Sequence, residues 1–538
     1  MTTTRVHRRY AGIAMTSAAA LVFTATTGAP VAVAAAVPVE LAESQGLRKA
    51  VTLAGVREHQ AALQAIGDAN GGNRVAGSPG YIASANYVES KLVDAGYTVT
   101  RFPFQFTFNA DRTPAVFQRV SPNPTTYVDG VDFASMTYSG NGDVTAPVHA
   151  VNLQVPPPAV EGTAPSGCAA GDFAGFPAGA IALVQRGTCS FRIKAANAQA
   201  AGATAVIVMN EGQPGRTAAV AGTLGEPTMT LPVIGTTYAI GLELSNGTTN
   251  GATGSTARVR VDRVNEQRTT ENLLAETAAG DPNNVVVVGA HLDSVPRGPG
   301  INDNGSGSAG ILEIAEQIAA RQIVPRNKIR FAWWGAEELG LIGSNRYVAA
   351  LSQAELAKIK LNLNFDMIGS PNFVRFVYDG DNSAFPANPP AVADGPDGSG
   401  EIERVFHHYF GSSGLASSET PFNGRSDYGP FIAKGIPAGG LFTGAEGTKT
   451  AAQAAVYGGT AGISYDPCYH LACDTYDNNS NTALDQMTDA AAHATLYFAK
   501  RNLDKNPLVD PAGPVSGVAS TSGGGGLHDE HDHDVTES

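Results

Sequence analysis

The run Val285, Val286, Val287, Val288, Gly289, Ala290 constrains this 538-residue chain more than any other stretch. Successive side chains of a strand point to opposite faces, so four valines in a row require apolar cover on both. This predicts an internal strand of a largely parallel sheet held between helices, an α/β fold. The run stops at His291, with Asp293 two residues on and Asp303 in a Gly/Pro-rich loop before a helix opens near Ser306. In open α/β sheets ligands collect beyond the carboxyl ends of the strands. An imidazole and a loop carboxylate there suggest a metal site.

A competing signal occupies the same place. Gly305, Gly307 and Gly310 satisfy G-x-G-x-x-G, and Glu337 and Glu338 follow 27 and 28 residues after Gly310. A dinucleotide fingerprint needs its first glycine immediately after the strand, so that pyrophosphate meets the helix N-terminus. Here Gly305 lies fourteen residues past His291, beyond a polar loop. The dinucleotide reading is set aside on that spacing.

The length exceeds one ordinary domain. The first residues, MTTTRVHRR, are basic and free of acids. They precede an Ala-rich apolar stretch and small residues at Ala34–Ala36, the pattern of a secretory signal over residues 1–36. Export to the extracellular space is therefore expected, with no membrane anchor. Loss of that segment removes Arg5, Arg8 and Arg9 and moves the formal charge from −14 to −17. So acidic a chain is a poor partner for nucleic acid or anionic membranes. Four cysteines in an exported chain point to two disulfides. Cys168 with Cys189 and Cys468 with Cys473 is the economical pairing of the three that sequence allows. The end of the chain, residues 507–538, is Gly/His/Asp-rich and reads as a disordered tail.

Residues 50–100 read as helix, glycine loop, helix and strand, the strand being YTVTRFPFQFTF. From about Arg112 the composition turns Pro/Gly-rich, with short β-like runs. Within it, GAIALVQRGTCSFRIKAANAQAAGATAVIVMN reads as strand, turn, helix, strand. Near Asp262 the character of residues 50–100 returns with TENLLAETAAG, so residues 112–264 are expected to form an insert in a larger unit, residues 37–111 and 265–506. Further on, KIRFAWW and IKLNLNF read as strands whose ends carry Glu337, Glu338 and Asp366. His407 and His408, adjacent on a predicted helix, are expected at the surface rather than as ligands.

The polar residues at predicted strand ends are thus His291, Asp303, Glu337, Glu338 and Asp366, joined by His470 in a late loop. Two imidazoles with carboxylates and no thiolate suit zinc or another borderline divalent ion. The set exceeds what one open site needs and fits two ions sharing a carboxylate. Adjacent Glu337 and Glu338 point differently, so one can bind metal while the other takes a proton from water.

The set HLDS, INDNGSG, WGAEELGLIGS, NFDMIG and CYHLACDT, with the leading NRVAGSPGYIASANYV, resembles the secreted dizinc aminopeptidases of metallopeptidase family 28, of the leucine aminopeptidase or aminopeptidase Y type. The resemblance covers most of residues 45–500 outside the insert, and the insert resembles a protease-associated domain. It implies a three-layer α/β/α sandwich of the phosphorylase/hydrolase-like class around a mixed, largely parallel sheet, with a β-rich α+β insert. It implies two zinc ions bridged by Asp303, with His291 and Asp366 on one and Glu338 and His470 on the other. Glu337 is implied as general base, Asp293 as the group orienting His291, and Tyr469 as a hydrogen-bond donor to the tetrahedral oxygen. Arg425 falls where related enzymes present substrate-facing backbone. Related bacterial enzymes also bind calcium; Asp485 and Asp489 are the candidates, without an evident N-terminal acidic partner.

The expected activity is removal of N-terminal residues, leucine-like ones first, from peptides with a free N-terminus. A carboxypeptidase on the same fold would need basic pocket residues, and no Arg/Lys cluster is evident. A non-catalytic binding protein would have lost ligands, and all are present. Composition does not decide whether the insert is a spacer or a substrate-selecting lid.

Overall fold

The computed structural model describes residues 39–386, 392–511 and 513, so the expected signal segment and most of the expected tail lie outside the described residues. The valine strand, Asp281–His291, lies between Asn327–Trp334 and Ile359–Phe365, both parallel to it. Ala438–Phe442 continues the parallel run, and Phe376–Tyr378 and Ser418–Thr420 complete that edge.

Both faces of the valine strand are covered, as its composition demands. Val286 and Val288 join a core with Leu63, Leu312, Phe331 and Met487, under helices that include Leu53–Ala69, Gly305–Ala320 and Asn481–Lys500. Val285 and Val287 meet Trp334, Tyr347 and Phe431 on the opposite face, under Ile342–Ala350 and Gly429–Ile432. Burial contributes roughly 1.5–3 kcal/mol per valine, and a polar residue at any of the four would face a dry core. The architecture is therefore three-layered, α/β/α.

The insert is joined by more than a pair of linkers. Thr98–Ser121 and Gly251–Glu276, strands of 24 and 26 residues, pair antiparallel over most of their length. The inner end of Gly251–Glu276 pairs with Asn327–Trp334, and its outer end with Gly142–Ala150. Ile181–Gln185, Ala205–Met209 and Val233–Thr236 then follow in parallel, and Phe133–Ser135 closes the edge. One hydrogen-bonded sheet of fourteen strands thus runs through both parts. The expected borders at 112 and 264 fall inside this ribbon, beside register shifts between Asp111 and Thr113 and between Thr113 and Val116. A second link reaches the loop after the valine strand, where Arg297 Nη2 lies 3.9 Å from Asp129 Oδ2.

Both disulfides of the economical pairing are formed, Cys168–Cys189 and Cys468–Cys473. The first residues of the expected tail are tied down: Asp510 Oδ1 accepts from the amides of Gly398 (2.9 Å) and Gly400 (2.8 Å). It thereby caps the helix Ser399–Ser412, whose own N-cap glycine has no side chain to do so. His407 departs from expectation. It is buried on that helix, since its ring turns inward under the edge strand, whereas His408 is half-buried. No helix among the described residues is long and apolar enough to cross a membrane.

Candidate metal centre

The predicted ligands converge at the carboxyl ends of three adjacent parallel strands. His291 is the last residue of Asp281–His291, Glu337 and Glu338 follow Asn327–Trp334, and Asp366 follows Ile359–Phe365. Asp303 stands just before the helix Gly305–Ala320. That helix sits hard against the sheet, because a Cβ at Gly307 would come within 2.1 Å of the Phe365 carbonyl. Gly307 of the competing signal therefore serves close helix–strand packing.

Asp303 faces both histidines. Its Oδ1 is 3.2 Å from His291 Nε2 and its Oδ2 is 3.2 Å from His470 Nε2. Asp366 Oδ1 lies 3.3 Å from His291 Nε2, and Glu338 Oε2 lies 3.0 Å from His470 Nε2. Glu337 Oε2 stands off at 3.9 Å from His291 Nε2. Asp293 Oδ1 lies 3.6 Å from His291 Nδ1 and accepts the Glu337 amide at 3.1 Å, so one carboxylate positions both.

The donor set fits divalent cations on the evidence of its unpaired atoms. His291 Nε2, Asp366 Oδ1 and Glu338 Oε1 are buried without a hydrogen-bond partner, which native interiors rarely tolerate. Electrostatics agree. Burial, with Asp366 adding and His291 opposing, pushes Glu337 well above the usual carboxyl range. Burial and Asp303 push Glu338 up to about 7. Burial disfavours charge on His470, but Glu338 and Asp303 outweigh it and push the ring up to about 10. Each shift expresses excess negative charge in a dry site, which cations relieve.

Several residues that hold the site were not singled out from sequence. Arg74 is fully buried; its guanidinium donates to the carbonyls of Leu292, Pro299 (2.7 Å) and Gly300 (2.6 Å), bracing the loop between His291 and Asp303. Asp474 accepts from the amides of Asn302 (2.8 Å) and Asp303 (3.0 Å). Ser426 donates to Asp366 Oδ2 at 2.6 Å, and Asp427 behind it is buried and pushed up to about 7 by burial. Arg74 and Asp474 stand in the motifs NRVAG and ACDT, yet only burial separates them from ordinary loop charges.

Tyr469 stacks on His470 with ring centroids 3.8 Å apart. Its oxygen accepts from Arg425 Nη2 at 3.1 Å, and Arg425 Nη1 donates to Glu446 at 2.6 Å. Cys468 and Cys473 close the loop carrying Tyr469 and His470. Asp485 and Asp489 lie on the helix Asn481–Lys500. Asp489 is pushed up to about 6 by burial, against the opposing charge of Arg48. Neither joins any cluster of three or more metal-ligating groups among the described residues.

Residues 272–495 match Peptidase family M28, and residues 144–244 match the PA domain. An aminopeptidase of Pseudomonas aeruginosa is 46% identical over 468 residues, which is 86% of this chain and 84% of that protein. Leucine aminopeptidase 2 of Arthroderma otae is 39% identical over 431 residues, 79% of this chain and 80% of that one. The solved aminopeptidase from Aneurinibacillus sp. strain AM-1 superposes with a TM-score of 0.64 at 27% identity, covering 88% of this chain and 98% of its own. With the strand-end histidine and carboxylates gathered as described, this chain belongs to Peptidase family M28 and carries an inserted PA domain.

Proposed function

We propose that this protein is a secreted dizinc aminopeptidase that removes apolar, leucine-like residues from the free N-terminus of peptides. The observation that carries the reading is the two-sided approach of Asp303 to His291 and His470. One ion would be held by His291 and Asp366, the other by Glu338 and His470, with Asp303 shared. Bound there, the ions supply Lewis acidity toward the scissile carbonyl and lower the pKa of water. Calcium is not assigned.

The chain's own groups do the rest. Glu337, anchored through its amide to Asp293, takes a proton from the attacking water and returns it to the leaving amine nitrogen as the C–N bond breaks. Asp293 also keeps the His291 ring in place. The Tyr469 oxygen accepts from Arg425, leaving the phenolic proton to be donated to the carbonyl oxygen as charge develops on it.

Direction of attack follows from charge. The carboxylates left around the cluster attract an α-ammonium and repel a C-terminal carboxylate. The guanidiniums beside the cluster are engaged: Arg74 binds three backbone carbonyls, and Arg425 binds Glu446 and Tyr469. The leucine preference is supported by the name of the fungal relative. Leucine p-nitroanilide should be hydrolysed and its N-acetyl derivative left intact. Comparable cleavage of both would overturn the aminopeptidase reading.

A further inference from the structure

A second group of metal-ligating side chains lies at the sheet's outer edge. Ser418–Thr420 is four strands from the valine strand, about 19 Å at ordinary strand spacing. Beside it runs the helix Ser399–Ser412, on which Glu403 and His407 are one turn apart and so share a face. One ligand atom from each of Glu403, His407 and Glu419 lies within 4.8 Å of those of the other two.

Two polar atoms at the centre of this group are unused. Glu403 is 0% exposed and His407 7%. Glu403 Oε2 accepts the amides of Gly380 (2.9 Å) and Asp381 (3.2 Å), but its Oε1 has no hydrogen-bond partner. His407 Nδ1 is fixed by Ser417 Oγ at 2.8 Å, which aims Nε2, also without a partner, at Glu403 Oε1. The two atoms are 3.5 Å apart without making a hydrogen bond. Two ligands of one tetrahedral zinc ion, at ordinary bond lengths, are about 3.4 Å apart. Asp379 and Asp381 crowd the other side of Glu403, with one oxygen of each within 4.8 Å of it and of each other. An imidazole whose far nitrogen is pinned by a hydroxyl and whose near nitrogen faces carboxylates has the usual surroundings of a metal ligand.

We propose that Glu403, His407 and Glu419 bind a third divalent metal ion of borderline character, zinc or manganese, that ties the helix Ser399–Ser412 to the edge strand. Without a cation the group is costly. Burial, with Asp381 and Asp379 adding, pushes Glu403 up to about 9, and burial pushes His407 down to about 4. The alternative is a buried neutral pair with no ligand, and it predicts no metal at this place.

The two accounts separate on metal content. Full-length protein equilibrated with zinc and freed of excess metal is analysed by elemental mass spectrometry, alongside His407→Gln and Glu403→Gln. The proposal expects each variant to hold one zinc fewer than the parent, with leucine p-nitroanilide hydrolysis within about twofold of it. Equal zinc in parent and variants overturns it. The comparison is a difference, so it holds whatever the His291–His470 cluster binds. Should both variants fail to fold, crystals of the parent grown with zinc decide. An anomalous peak at the zinc edge between Glu403 and His407 supports the site. Its absence, with peaks present beside Asp303, overturns it.

Discussion

The insert and the peptidase part solve the same packing problem and end their strands differently. Ala205–Met209 in the insert is as fully buried as the run Val285–Val288, and its even and odd residues feed two cores just as the valines do. Both parts also place buried polar groups at strand ends. In the insert Gln185 and Glu211 are engaged, mostly by backbone and, for Glu211, also by Arg216 at 3.4 Å. Gln185 accepts from the Gln154 amide at 2.7 Å and donates to the carbonyls of Gln154 (3.1 Å) and Glu211 (2.9 Å). Glu211, wholly buried, accepts the amides of Gly162 (2.7 Å), Thr163 (3.0 Å) and Ala164 (3.0 Å). In the peptidase part His291, Glu338 and Asp366 keep buried atoms unpaired. A strand-end polar group that is satisfied holds a loop; one that is left open is available for chemistry.

The comparison is sharpened most by Glu337→Gln. Removing the base while keeping the shape should lower turnover by roughly 10²–10⁴-fold, a barrier increase of about 2.7–5.5 kcal/mol, with melting temperature and metal content unchanged. Steady-state kinetics beside metal analysis check this. Loss of an ion in Glu337→Gln, and retention in Glu338→Gln, would exchange the two roles.

The corresponding cut in the insert is Glu211→Ala. It leaves the buried Ala164 amide and the part-buried amides of Gly162 and Thr163 without their acceptor, so local stability should fall by about 1–3 kcal/mol. Amide hydrogen exchange should accelerate around residues 160–165, while hydrolysis of small anilides stays within about threefold. If hydrolysis collapses with exchange unchanged, the insert's strand ends do chemistry after all and the contrast fails.

The smallest effect on the fold is expected where the two roles meet, at Cys468–Cys473. A loop closed by bonding residues five apart stabilises the chain by only about 2 kcal/mol on the chain-entropy argument. Its larger effect should be local, on Tyr469 and His470 between the two cysteines. Cys468→Ser with Cys473→Ser should reduce activity and metal retention more than melting temperature. Near-normal activity with a sharply lower melting temperature would show that the bridge serves the fold alone.

Much of the candidate centre was legible in the linear chain, because metal-ligating residue types at strand ends can be read from sequence alone. His291, Glu337, Glu338 and Asp366 follow apolar runs, Asp303 sits in a glycine-rich loop and His470 in a loop between two cysteines, and the structure brings all six together. His407 was not legible. Two adjacent histidines on an amphipathic helix differ by about 100° in direction, and sequence does not say which direction is inward. Arg74 was hidden for a similar reason: an arginine in a glycine loop looks solvated until the loop folds over it.

By itself the sequence determined the layered α/β core, since four consecutive valines need two apolar faces, and it presented the residue types of the candidate ligand set. Tertiary structure alone decided how the parts share one sheet. Thr98–Ser121 and Gly251–Glu276 run unbroken from one region into the other, and their pairing joins residues up to 178 apart in the chain. Local composition changes within those strands, while their pairing continues across the register shifts. Tertiary structure alone also decided which polar groups remained unsatisfied, because that depends on which distant backbone amides come within reach. Glu211 and Glu338 are the same residue after similar apolar strands, and only the fold gives one its amides and leaves an oxygen of the other open.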